Sequence, residues 1–125
     1  MGLGEGKKSE CARQVEWVGK KLWQTGGEIS LGKPGKNALD CVSVQDVKQL
    51  EGWIDNFGIE NNFFIRFTTR ASVAANKARV ACRETEIALV PLLEAGLRRE
   101  VFVYMNRLSD YLYALACWLE KEEKK

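Results

Sequence analysis

The sequence predicts an all-α protein built as an up-down bundle of four to five helices. Long stretches repeat their apolar residues at steps of three and four, and glycine- or proline-containing breaks separate these stretches. Only residues 59–70 are locally β-like, and a single short run without a partner strand is expected to be an extended, aromatic-rich connection. With 125 residues the chain has the length of one domain, so residues 1–125 are expected to form a single helical domain.

The first predicted helix covers residues 9–25 and is expected to end at the pair Gly26 and Gly27. Its apolar stripe has four members: Cys11, Val15, Val18 and Leu22. The residues that follow, through Cys41, collect glycine, proline, lysine and asparagine without periodicity. This composition predicts a mobile loop that crosses the end of the bundle.

The second predicted helix, 43–58, carries signals for both of its ends. Ser43 and Asp46 have the spacing of a capping box, in which each side chain bonds the backbone N–H of the other residue. Gly58 is expected to end the helix. Its core-facing residues should be Val47, Leu50, Ile54 and Phe57.

Two longer helices are predicted in the second half of the chain. The third covers residues 71–95, should bend near Pro91, and is capped by Gly96. The fourth covers residues 98–124 and repeats its apolar residues throughout its length. Its core-facing positions are Val101, Tyr104 or Met105, Leu108, Tyr111 or Leu112, Leu115, and Trp118 or Leu119.

Composition and charge narrow the class of function. Apolar residues make up 46% and charged residues 29% of the chain, and acids and bases nearly balance at a net charge of +2. These values are typical of a globular protein without a concentrated basic stripe, so neither nucleic acid nor a membrane is an expected partner. No secretion signal is recognisable, and a cytoplasmic location is expected.

The residue types also limit the chemistry. The chain contains no histidine and its four cysteines lie far apart, which argues against a zinc site. The cysteines are expected to be buried thiols in a reducing compartment. Without histidine a Ser-His-Asp or Cys-His mechanism is excluded. Any chemistry must therefore depend on carboxylates, arginines, and a cofactor or co-substrate.

One candidate site lies on the third helix. Arg79, Arg83 and Glu86 are spaced so that two guanidinium groups and a carboxylate share one face within about two turns. Such a group could bind a polyphosphate, because a guanidinium group forms bidentate hydrogen bonds with phosphate oxygens. The carboxylate could orient the guanidinium groups or bind a ribose hydroxyl. The same spacing also fits a plain solvent-facing strip with an Arg83–Glu86 ion pair.

A second candidate site lies on the fourth helix, where Asn106, Arg107 and Asp110 interrupt the apolar pattern. Buried polar groups need partners, so these residues either bridge to a neighbouring helix or face a ligand. Two interpretations are also open for the phenylalanines of the connection 59–70. They could belong to the core or form a flat wall beside a bulky ligand.

These motifs together resemble a known family. The segments "ARVACRETEIALVPLL" and "VFVYMNRLSDYLYALA" are similar to the paired signature of the ATP:cob(I)alamin adenosyltransferases of the propanediol-utilisation type, which reads close to C-R-R-A-E-R and N-R-L-S-D-x-L-F. Upstream, "LWQTGGEIS", "VKQLEGWID" and "FFIRF" follow in the order that this family shows. The resemblance extends from about Trp17 to Trp118, and its most specific part is "NRLSD" placed one helix-turn-helix after "CRETE".

The resemblance implies a helical bundle of the cobalamin adenosyltransferase type that assembles as a homotrimer. Members of the family bind ATP, with Mg²⁺, and a corrinoid at the subunit interface, and transfer the 5′-deoxyadenosyl group of ATP to the cobalt(I) of cobalamin. By the same resemblance Arg79 and Arg83 hold the triphosphate and Glu86 is the nearby acidic residue, so that these three are the expected catalytic positions. The implied ligand-binding residues are Arg79, Arg83, Asn106, Arg107, Asp110, and Phe63 or Phe64 near the aromatic residue that displaces the lower ligand of cobalt.

The chain is expected to be a shortened member of this family. It lacks the N-terminal ATP-binding segment, T-x-T-G-D-x-G-x-T, and the helix that follows this segment, while Glu84 and Ile87 stand where the family has arginines. Two other interpretations stay open. The chain could be a non-catalytic relative that acts as a nucleotide- or corrinoid-binding or trimeric assembly module, or an unrelated four-helix structural domain.

Overall fold

The computed structural model describes residues 2–31, 42–58 and 66–123. These ranges contain four α-helices and no strand, which confirms the predicted all-α class: α1 (Gly2–Leu31), α2 (Val44–Phe57), α3 (Arg70–Glu94) and α4 (Arg99–Glu123). The chain divides into two compact units, Met1–Val42 and Ser43–Lys125. That residues 1–125 form one domain stays a prediction.

The first helix is longer than predicted. It begins at Gly2 and continues through Gly26 and Gly27 to Leu31, so the predicted stop and the first part of the predicted loop are wrong. A glycine ends a helix where the backbone turns to positive φ, and in the described ranges only Gly58 and Gly96 do so. The rest of the predicted loop, 32–41, lies outside the described residues.

The apolar stripe predicted for α1 is half wrong. Cys11 and Val18 are buried, but Val15 and Leu22 are 49% and 41% exposed. The buried face instead includes the polar residues Gln14 and Thr25. Thr25 can be buried because its hydroxyl donates to the carbonyl oxygen of Lys21 at 2.6 Å, within its own helix.

The second helix has both predicted ends. The hydroxyl oxygen of Ser43 accepts from the backbone N–H of Asp46 at 3.4 Å, and the Asp46 carboxylate accepts from the Ser43 N–H at 2.9 Å. Gly58 closes the helix in the left-handed region at φ 60°. Val47 and Leu50 are buried as predicted, while Ile54 and Phe57 are half-buried.

A tight turn after α3 fixes how the next helix returns. The backbone N–H of Gly96 donates to the carbonyl of Leu93 at 3.2 Å, and that of Leu97 donates to the carbonyl of Leu92 at 2.9 Å. These two bonds, with φ 113° at Gly96, form a Schellman motif and confirm the predicted glycine cap. The helix runs through Pro91, and the bend predicted there stays a prediction.

Helix α4 packs against both α2 and α3 and forms the centre of the unit 43–125. The rings of Trp53 and Phe57 meet the ring of Tyr111 at centroid distances of 6.0 and 5.9 Å. The predicted apolar period of α4 is confirmed by its buried side chains, Val101, Tyr104, Met105, Leu108, Tyr111, Leu115 and Trp118.

Three of the four cysteines, Cys11, Cys82 and Cys117, are free and buried, as expected, and Cys41 lies outside the described residues. No group of three or more Cys, Asp or Glu side chains that could hold a metal ion occurs in the ranges described. No helix among them is long and apolar enough to cross a membrane.

Candidate functional site

Residues predicted on two separate helices meet where α3 and α4 face each other. The amide of Asn106 donates to the carboxylate Oε2 of Glu86 at 3.5 Å, a long hydrogen bond. The Schellman turn makes α3 and α4 antiparallel neighbours, which brings these two residues together across 20 positions of sequence. Of the two predicted alternatives, a bridge to a neighbouring helix or a contact with a ligand, the structure shows the bridge, and the partner of Asn106 is itself a predicted site residue.

Arg107 connects this pair to a third helix. Its guanidinium donates to Asn106 Oδ1 at 2.7 Å and lies 3.4 Å from Asp110 Oδ2. Its Nε donates to Oε2 of Glu51 on α2 at 3.0 Å. We call these five residues, Glu51, Glu86, Asn106, Arg107 and Asp110, the polar cluster. Since Arg107 and Glu51 are 35% and 46% exposed, their ion pair contributes little to stability.

Glu86 is the most buried member of the polar cluster. Only 8% of the residue is exposed, and its second carboxylate oxygen, Oε1, finds no hydrogen-bond donor among the described residues. Buried carboxylates normally use both oxygens, because an unpaired buried acceptor costs free energy. Glu86 therefore keeps an unused acceptor at Oε1, although this oxygen is itself buried.

The two arginines predicted beside Glu86 have different surroundings. Arg79 is half-buried, donates to Asn76 Oδ1 at 2.9 Å, and places its guanidinium carbon 5.6 Å from the ring centre of Tyr113. Arg83 is exposed to solvent, one turn further along α3. The plain solvent-facing strip that the spacing also allowed does not describe Glu86, which is buried and faces Asn106.

A cleft of about 440 Å³ opens next to the polar cluster, between the end of α2 and the middle of α3 and α4. Its lining includes Ile54, Asp55, Arg79, Asp110, Tyr113 and Ala114. Two of the predicted site residues, Arg79 and Asp110, thus face the cleft. Arg83, Glu86 and Asn106 are not among the described residues that line it. A ligand that used all of them would extend from the cleft over the surface of the polar cluster.

Cys82 lies beside the polar cluster but is not a reactive thiol. Burial raises its pKa to about 12, and the negative charges of Glu86 and Asp110 act in the same direction. Its sulfur lies 3.1 Å from the carbonyl oxygen of Met105, which accepts its hydrogen bond. The thiol therefore stays protonated at physiological pH and contributes packing rather than nucleophilic chemistry.

Sequence reasoning missed Glu51, Tyr113 and Glu120. Glu51 lies in the segment "VKQLEGWID", which carries part of the family resemblance. That resemblance was the one signal in the sequence that could have pointed to Glu51. Glu120 is an acidic residue on the buried face of α4, with only 4% of its surface exposed. Its position within an otherwise apolar stripe could have singled it out. Phe63 and Phe64 lie outside the described residues.

The fold and the site together define a class of protein. This is an all-helical protein in which facing helices place charged and amide side chains, one of them a buried carboxylate, beside a cleft. The family model for cobalamin adenosyltransferase matches residues 2–119, and the chain belongs to this family.

Several curated proteins are similar to this chain. The cobalamin adenosyltransferase of Cupriavidus metallidurans is 34% identical over 100 residues, which cover 76% of this chain and 52% of the relative. The corrinoid adenosyltransferase MMAB of Bos taurus is 33% identical over 82 residues, 62% of this chain and 34% of the relative. The corrinoid adenosyltransferase of Citrobacter freundii is 28% identical over 116 residues, which cover 88% of this chain and 66% of the relative. The matched part of the chain thus spans between one third and two thirds of the length of these relatives.

Proposed function

We propose that this protein acts on ATP and a reduced corrinoid, and that it transfers the 5′-deoxyadenosyl group of ATP to the cobalt(I) of cobalamin. The observation that carries the proposal is the buried Glu86 carboxylate, which is bonded by Asn106 on one oxygen and left without a donor on the other among the described residues. These two residues lie in "CRETE" and "NRLSD", the segments in which the resemblance is most specific. A nucleotide hydroxyl would satisfy the remaining oxygen.

In this proposal the arginines bind the triphosphate. Arg79 and Arg83 are one turn apart on α3, and guanidinium groups form strong charge-assisted hydrogen bonds with phosphate oxygens. Arg107 holds Asn106 in place through its hydrogen bond to Asn106 Oδ1, and Asp110 lies against the guanidinium of Arg107. Mg²⁺ would enter with the triphosphate, because it is usually bound through substrate phosphates and few protein carboxylates.

The reaction needs little acid–base chemistry from the protein. Cobalt(I) of the substrate is the nucleophile: its electron pair forms the bond to C5′ of ATP while the C5′–O bond breaks and triphosphate leaves. The residues then act mainly by holding ATP in the attacking geometry and by excluding water. This division of work is compatible with a chain that has no histidine.

We also propose the propanediol-utilisation type, a homotrimer and a cytoplasmic location. Assembly is supported by the outward face of α3, where Val80, Ile87 and Val90 are 43%, 74% and 45% exposed and would be covered in an oligomer. A reducing compartment suits the free thiols.

The test is an anaerobic spectral assay of the purified protein with ATP, Mg²⁺ and chemically reduced cobalamin, followed for adenosylcobalamin. Protein-dependent product is expected, and Asn106→Ala should slow its formation while the exposed Asn56→Ala on α2 should not. No product from a folded protein with intact reduced cobalamin would contradict the proposed reaction and favour a binding or assembly role instead.

A further inference from the structure

The carboxylate of Glu120 lies near the end of α4 and is bonded to residues about 50 positions earlier in the chain. Its Oε1 accepts from the backbone N–H groups of Thr68 and Thr69 at 2.7 and 3.1 Å and from the hydroxyl of Ser72 at 2.7 Å. Its Oε2 accepts from the hydroxyl of Thr68 at 2.6 Å. Hydrogen bonds from Thr68 are the main reason that the pKa of this carboxyl lies well below its usual range.

These bonds fix the backbone that leads into α3. Thr69 is the N-cap of α3, and its side chain accepts from the N–H of Ser72 at 3.2 Å. Glu120 adds a negative charge at the same helix start, where the helix dipole and the free N–H groups favour an anion. The position of residues 67–69 is therefore set by α4 and not only by the local sequence.

From Thr68 the contacts continue to the cleft. The ring of Phe67 meets the ring of Tyr113 edge-on, with centroids 6.1 Å apart. The ring of Tyr113 also contacts Arg79, whose guanidinium carbon lies 5.6 Å from the ring centre. Tyr113 and Arg79 both line the cleft. Each step is a direct contact between neighbouring side chains or between adjacent residues of the chain.

We propose that Glu120 is a positioning residue for the cleft: by fixing Thr68 and Thr69 it holds Phe67 against Tyr113, and Tyr113 holds the guanidinium of Arg79 in the place where it meets the triphosphate. The link from Arg79 to the triphosphate rests on the proposed function. The link from Glu120 to Arg79 does not depend on it.

The test compares Glu120→Ala with Glu120→Gln, which keeps the side-chain length and an acceptor oxygen. The exposed Glu94→Gln on α3 serves as the control. The first measurement is the NMR shift of the Arg79 side-chain protons, which the Tyr113 ring current displaces. The variant Arg79→Lys identifies which signals belong to the Arg79 side chain. The variant Tyr113→Leu gives the chemical shift of these protons in the absence of the Tyr113 ring. The second is the Kd for Mg-ATP by calorimetry.

In Glu120→Ala the displacement of the Arg79 signal should fall by at least half and the Kd for Mg-ATP should rise roughly tenfold, as for the loss of a charge-assisted contact. Glu120→Gln should retain most of both properties, and Glu94→Gln should change neither. A purely structural role would lower the thermal stability of Glu120→Ala and leave the Arg79 signal unchanged.

Each result decides one of the two proposals. An unchanged Arg79 signal in folded Glu120→Ala overturns the positioning role. A lost signal with an unchanged Kd supports the link from Glu120 to Arg79 but contradicts the proposed contact of Arg79 with the triphosphate. If Glu120→Ala does not fold, Thr68→Val, which removes only the Oε2 contact, must shift the Arg79 signal, and an unchanged signal there also overturns the role. A Glu120-dependent signal in a protein that does not bind Mg-ATP supports the coupling to Arg79 and contradicts the proposed function.

Discussion

Replacing Glu86 with methionine should stabilise the protein and weaken its binding of nucleotide. Methionine has a similar length and is apolar, so Glu86→Met keeps the space filled between α3 and α4 while it removes the buried carboxylate. The substitution removes a destabilising feature, the oxygen Oε1 without a described donor. It also removes a stabilising one, the long hydrogen bond of 3.5 Å from Asn106.

The expected increase in the free energy of unfolding follows from these two features of Glu86. An unsatisfied buried polar group costs about 1–3 kcal/mol, and a hydrogen bond contributes about 0.5–1.5 kcal/mol to stability. Because the bond from Asn106 is long and Asn106 is only half-buried, its loss falls at the low end of that range. Glu86→Met should thus raise the free energy of unfolding by about 1–2 kcal/mol, which for a chain of this size raises Tm by roughly 3–10 °C.

The assay is urea unfolding followed by far-UV circular dichroism, with Mg-ATP binding measured by calorimetry on the same samples. The control is Glu84→Met, the same substitution at an exposed position two residues away, which should change the unfolding free energy by less than about 0.5 kcal/mol. Destabilisation of Glu86→Met by more than about 1 kcal/mol would refute the reasoning about Oε1. A stabilised variant with wild-type affinity for Mg-ATP would remove Glu86 from the proposed site.

Further predictions concern Arg83, helix α2 and the thiol of Cys82. Arg83→Ala should weaken Mg-ATP binding about tenfold or more, while the equally exposed Arg99→Ala should not; equal affinities would remove Arg83 from the site. Ser43→Ala should cost about 1 kcal/mol in urea unfolding, because it breaks the capping box, whereas Gly52→Ala, with open space around its Cβ, should add about 0.5–1 kcal/mol. Cys82 should resist alkylation by iodoacetamide in the native state. Its raised pKa of about 12 favours the folded protein below pH 9, and this stabilisation should be lost as the pH rises from 9 towards 12.

Local signals in the sequence were sufficient for α2 and α4. The capping box of Ser43 and Asp46 and the stop at Gly58 involve residues at most a few positions apart, so sequence alone carries them. The α4 period was predictable because a helix that packs against two neighbours must present apolar side chains over most of its length.

The errors have different physical causes, and only the one at Glu120 depends on partners distant in sequence. Gly26 and Gly27 stay helical, and neither has the positive φ at which a glycine ends a helix. Thr25 is buried because its own helix satisfies its hydroxyl, which an apolar count does not register. Glu120 was missed because its partners lie across the antiparallel α3–α4 pair.

The polar residues of α4 admitted two explanations, an interhelical network or a ligand site, and the contacts separate them. Arg107 bonds Asn106, Asp110 and Glu51, so a network alone accounts for these residues. It accounts for only one oxygen of Glu86, because the buried Oε1 has no donor in the described part of the chain, and we expect an apolar residue of the same size to be more stable there. A buried group that lowers the stability of the fold is best explained by a role in ligand binding. A ligand that bonds Glu86 Oε1 would offset the cost of the unpaired oxygen. The case for a working site therefore depends on Glu86 more than on the arginines beside it.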